Sequence, residues 1–114
     1  MKNILVPESG HNIAPEPIEQ KFLDHCPTAQ QCMLVGHARP YLTLIIPGEV
    51  SDADIQAAID SVNADVPHYR KIKTFLRVPE AFTIENGLLT ANQKLRRRVV
   101  EDHHRAAIDR VYAS

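Results

Sequence analysis

Apolar positions along this chain switch between a two-residue and a helical period, dividing it into short elements. Ile4-Leu5-Val6 is an apolar run, Pro7, Glu8, Ser9 and Gly10 form a turn, and Asn12-Ile13-Ala14 returns as a second hairpin arm. Pro15 and Pro17 open a helix, with Pro17 suited to the first helical position because its missing N–H would have no partner there. Ile18, Phe22 and Cys26 fall at i, i+4 and i+8 on one face, and Pro27 stops that helix. Gln31 to Gly36 and Tyr41 to Pro47 read as two strands of a hairpin. Ser51, with Asp54 three residues on, caps a second helix that buries Ile55, Ile59 and Val62 and ends by Pro67. Ile72 to Val78 predicts a third core strand, and Phe82-Thr83-Ile84 a strand entering the turn Glu85-Asn86-Gly87. The last helix is predicted from about Leu95 or Arg96 to about Tyr112, on a stripe of Val100, Ala107, Ile108 and Val111. The expected fold is α+β: an N-terminal β-hairpin, then a small mixed β-sheet packed with three helices.

Composition narrows the class. The 114 residues make one domain with one modest core, and 44% hydrophobic and 24% charged residues are ordinary for a soluble globular protein. A net charge of −1 gives no general attraction to nucleic acid or anionic lipid. No apolar run approaches membrane-spanning length, and the N-terminus lacks the pattern of a secretory signal. Cys26 and Cys32 are too few for a disulfide framework and lack metal-type spacing, so they read as reduced, buried thiols of a cytoplasmic protein.

The candidate chemistry is concentrated at two places. Lys94 follows the bend at Gly87 and stands on a polar turn just before the last helix, with its ammonium available to a partner outside the domain. Taken alone, it reads as a solvated surface lysine near a helix start; only its flanking residues argue otherwise. Gly10 sits in the first turn, where positive φ alone would explain a glycine. Glu16 and Glu19 are expected to favour the macrodipole of the first helix. Arg96, Arg97 and Arg98 suggest a solvated helix face or phosphate contacts; 5% aromatic content supplies no stacking platform for nucleic acid. Adjacent His103 and His104 point about 100° apart on a helix and do not chelate together.

Three segments carry a resemblance. Gly10-His11-Asn12-Ile13-Ala14-Pro15-Glu16-Pro17-Ile18-Glu19 is similar to the "GxNIxPxxIE" signature of acyl-CoA synthetases. Val62-Asn63 with Pro67, Tyr69, Ile72 and Lys73 resembles their "VN…LPxYxxIK" stretch. Asn86-Gly87-Leu88-Leu89-Thr90, then Lys94-Leu95-Arg96-Arg97, resembles "NGLLTxxxKxKR". In order and spacing, nearly the whole chain resembles the C-terminal domain of the adenylate-forming, AMP-binding ligases, nearest the long-chain fatty acyl-CoA synthetase branch.

The resemblance implies a two-step ligase. A carboxylate and ATP give an acyl-adenylate and pyrophosphate, and the acyl group then passes to the thiol of coenzyme A. Residues 1–114 would form the small lid that swings between two orientations. A large N-terminal AMP-binding domain, absent here, would hold Mg-ATP and most of the acyl tunnel, with no metal on the lid itself. By the same resemblance Lys94 is the adenylation lysine, Gly10 with Ser9 lines the CoA channel, and Lys2 is the hinge, eight positions before that glycine. Implied partners are the lid's own N-terminal domain, a fatty acid, ATP and CoA, and not nucleic acid; peripheral membrane association of the full-length enzyme is left open. Many relatives carry Ser-Gly-Lys where Asn92-Gln93-Lys94 stands here. Alone, the lid is expected to be inactive. Two other readings remain: a non-catalytic interaction domain derived from such a ligase, and a ferredoxin-like nucleic-acid binder using the arginine run.

Overall fold

The computed structural model describes residues 3–113. In chain order its elements are α1 (Pro15–His25), β1 (Met33–Val35), β2 (Leu42–Pro47), α2 (Asp52–Asn63), a 3-10 turn (His68–Arg70), β3 (Ile72–Val78), α3 (Arg97–His103) and α4 (Arg105–Ala113). The apolar run of β2 decides the architecture. All six of its residues are buried, which requires cover on both faces of the sheet. β1 pairs with it antiparallel, Met33 opposite Ile45, while β3 pairs parallel on the other side, Leu44 opposite Phe75. The parallel connection needs a crossover, which α2 supplies. β3 exposes Lys73 and Arg77, as suits an edge strand.

Alternation along the strands sends neighbours to opposite faces. Leu34, Leu42, Leu44 and Ile46 pack with Ile18 and Phe22 of α1 and Ile55, Ile59 and Val62 of α2. Met33, Val35, Ile45 and Val78 pack on the other side with Phe82, Leu88, Val100 and Ile108. The result is an α+β domain whose three-stranded mixed sheet lies between two helical layers.

Ser51 caps α2 as its position predicts, accepting the Asp54 N–H at 3.1 Å. Four local expectations are modified. The N-terminal hairpin reduces to one bridge, Leu5 to Ile13, because the next backbone groups bond the β1–β2 turn instead: Ala38 N–H donates to the Val6 carbonyl and Glu8 N–H to the Arg39 carbonyl, both at 2.9 Å. Pro15, not Pro17, starts α1; Pro17 lies two residues further in, still within the first turn whose N–H groups have no helical acceptor. Phe82–Ile84 is not a strand. The Gln31 side-chain amide takes both backbone groups of Phe82 at 2.9 Å, and Asn86 Oδ1 accepts the Thr83 N–H at 3.1 Å, so no ladder partner is needed. Finally, the last helix divides at His104 (φ −107, ψ 20) into α3 and α4, making four helices. Val100 and Ile108 flank the break and share one cluster, whereas a straight helix would set them about 80° apart.

Candidate functional site

Lys94 is exposed on a turn organised by Thr90. Gln93 N–H donates to the Thr90 carbonyl at 2.8 Å, Thr90 N–H to the Lys94 carbonyl at 2.8 Å, and Lys94 N–H to Thr90 Oγ1 at 3.1 Å. The bridge between Leu89 and Leu95, and Arg96 N–H bonded to the Leu88 carbonyl at 2.9 Å, fasten the two arms below it. Closing so tight a turn puts Gln93 at φ +62, in the left-handed region. The Lys94 ammonium makes no hydrogen bond or ion pair with the described residues, so the turn presents an uncommitted cation.

Beside it lies an open cleft of about 500 Å³, lined by Gln93, Lys94 and Leu95, by Glu16, Glu19, Gln20 and Leu23 of α1, and by Gln31, Cys32 and Arg97. Its electrostatics centre on one pair. Glu19 is buried, and its carboxylate receives Arg97 Nη1 and Nη2 on separate oxygens, both at 2.7 Å, as well as the Leu34 N–H at 2.6 Å. Glu16 adds a longer contact to Arg97 at 3.7 Å. Burial alone would push the Arg97 guanidinium down; the hydrogen bond and charge of Glu19, with Glu16, outweigh it and leave it above its usual value. Burial also raises the Glu16 carboxyl, but Asn3, its own backbone N–H and Arg97 together bring it below the usual carboxylate range. Burial, reinforced by Glu19, pushes the Cys32 thiol far above the thiolate range. Cys26 and Cys32 are both free and buried, as read from the sequence.

Gly10 and Ser9 lie elsewhere and do not line this cleft. Gly10 has φ +83, donates to the Pro7 carbonyl at 2.9 Å, and has open space where a Cβ would stand. His11 stacks on Tyr69 with ring centroids 3.6 Å apart and planes within 7°. That contact joins the first turn to the 3-10 turn. Lys2 lies outside the described residues. Arg97 was read as part of a solvated face and Glu19 as a macrodipole partner, yet the two form the buried ion pair of the site. Both belong to the motifs quoted above, which was the available signal. The described residues bring together no three His, Cys, Asp or Glu side chains able to hold a metal ion. No described helix is long and apolar enough to cross a membrane.

Residues 2–114 match the family model of the AMP-binding enzyme C-terminal domain. The chain belongs to that family. A long-chain-fatty-acid–CoA ligase of Mycobacterium tuberculosis is 28% identical over 97% of this chain and 23% of its own length. One of Gallus gallus is 25% identical over 99% of the chain and 20% of its own length. Among solved structures, the adenylation domain of a carboxylate reductase from Mycobacterium chelonae superposes with a TM-score of 0.83 at 24% identity, covering 98% of this chain and 20% of that one. An anthranilate CoA ligase in complex with anthranoyl-AMP gives 0.66 at 21% identity, covering 95% and 20%. This AMP-binding C-terminal domain therefore spans about a fifth of the length of the relatives it matches.

Proposed function

We propose that this chain is the moving lid of an ATP-dependent, AMP-forming ligase that joins a long-chain fatty acid to coenzyme A in the cytoplasm. The family membership and the named substrates of its relatives support the ligase reading. The observation that carries the role of Lys94 is its uncommitted ammonium, carried on a hydrogen-bonded turn that lines the cleft. Adenylation brings a carboxylate against an already anionic α-phosphate. A lysine closing over both offsets their repulsion and stabilises the charge of the transition state, most strongly where closure excludes water. Glu16, Glu19 and Arg97 in the same cleft are paired with one another, so Lys94 would act by charge and position.

Gly10 and Ser9, on a different part of the surface, would line the path of CoA when the lid turns. Lys2 would serve as the hinge that absorbs the φ/ψ change. Two tasks on two separate surfaces fit a domain that rotates between half-reactions. The large N-terminal AMP-binding domain would supply the ATP and acyl sites. By the family resemblance, Mg²⁺ would be held there as well.

The test separates the half-reactions in the enzyme formed by this domain and its encoded N-terminal partner. Lys94→Ala is expected to slow pyrophosphate release by about 10²- to 10³-fold. Formation of acyl-CoA from supplied acyl-adenylate should be unchanged. Equal rates for both proteins in both steps would refute the catalytic role and leave a non-catalytic interaction domain of the same family.

A further inference from the structure

Glu19 and Arg97 share the cleft with Lys94, and the function proposed above gives them no task. Arg97 opens α3 three residues after Lys94. That helix start has no side-chain cap, Arg96 standing at φ −91 and ψ 80. What fixes it is the two-point fork from Arg97 to Glu19, and Glu19 is fixed in turn by α1 and by the Leu34 N–H of β1. The intervening chain is stiff, because Leu95 bridges Leu89 and Arg96 bonds Leu88. The Lys94 ammonium has no partner among the described residues, so the placement of its backbone sets the region that the flexible side chain can reach.

We infer that Glu19 and Arg97 are a positioning pair for adenylation, setting the Lys94 turn against α1 so that the ammonium meets the reacting oxygens. This rests on the proposed role of Lys94. The fork is what matters: a lysine at 97 keeps the charge but not the planar two-point geometry, and leaves the turn free to shift. Misplacement of a catalytic group by about 1 Å is enough to cost about 100-fold in rate.

The test uses the same full-length enzyme with Arg97→Lys, with the near-isosteric Glu19→Gln as a second variant, and with Lys94→Ala for reference. Arg97→Lys is expected to lower kcat for pyrophosphate release by about 10- to 100-fold with KM for ATP unchanged. Acyl-CoA formation from supplied acyl-adenylate should keep its rate. Hydrogen exchange should quicken at the Thr90 and Arg96 amides while those of Leu44 and Ile45 in β2 stay protected. Both half-reactions falling together would make the pair merely structural and overturn the inference, as would an unchanged adenylation rate. If Lys94→Ala itself leaves adenylation intact, the function proposed above fails and this inference with it. If Lys94→Ala abolishes adenylation but neither Arg97→Lys nor Glu19→Gln slows it, only the positioning role is lost.

Discussion

Gln93 holds φ at +62, where a Cβ crowds the neighbouring carbonyl at a cost of about 1–2 kcal/mol. Glycine removes that strain but gives the unfolded chain more freedom, about 0.5–1 kcal/mol in the other direction. Gln93→Gly should therefore stabilise the domain by about 0.5–1 kcal/mol, read as a rise in the urea midpoint without a change in slope. A second residue makes stability depend on pH. Burial first, then the His103 charge, lower the His104 pKa below its ordinary 6.5, against a smaller opposing effect of Glu80. The folded state thus binds fewer protons than the unfolded state, and His104 contributes stability above pH 6.5 that is lost as pH falls through its lower folded value. The melting temperature should drop between pH 7 and pH 5, and His104→Gln should flatten that dependence; an unchanged slope would show that His104 does not titrate on unfolding. Lys94 and Gly10 stand out in the sequence as candidates because their neighbours in the chain mark them. The Glu19–Arg97 pair was not, since its partners lie 78 residues apart and only the fold brings them together.

Elements were legible where the chain's own pattern decides them. The six buried residues of β2, apolar but for Thr43, the Ser51 cap and the Ile18/Phe22/Cys26 stripe each fix a strand or helix locally. They were misread where a distant side chain substitutes for a backbone partner. Phe82 has the residue type of a strand, but Gln31 satisfies its N–H and carbonyl from 51 residues away. Removing that amide leaves two part-buried backbone groups without partners, at about 1–3 kcal/mol for each group left fully unpaired. Because both groups are only part-buried and water offsets some of that sum, Gln31→Ala should destabilise the domain by about 1–3 kcal/mol in urea unfolding, where a neutral result would mean water replaces the amide fully. The break at His104 was hidden for a related reason: nothing in Val99 to Ile108 disfavours a continuous helix, and the bend follows from seating both Val100 and Ile108 on one sheet face.

At the scale of the whole molecule, both helical layers share one three-stranded sheet, with Leu34 and Leu44 turned to one side and Met33 and Ile45 to the other. Neither layer keeps its core if the strands separate, so the two cores should unfold as one unit. This matters for the lid role proposed above, because a rotation about the proposed hinge would reach Lys94 undiminished only if the intervening structure moves as a rigid body. Phe22 fills one core and Phe82 the other, each almost wholly buried. Truncating either to alanine should cost about 3–5 kcal/mol. The decisive quantity is the form of the transition. In calorimetry each variant should keep a single peak whose calorimetric and van't Hoff enthalpies agree, both shifted down together. A second, lower peak in Phe82→Ala alone would mean that α3 and α4 melt apart from the rest. The Lys94 turn would then be joined flexibly to the sheet, and a swing of the lid would not place the lysine.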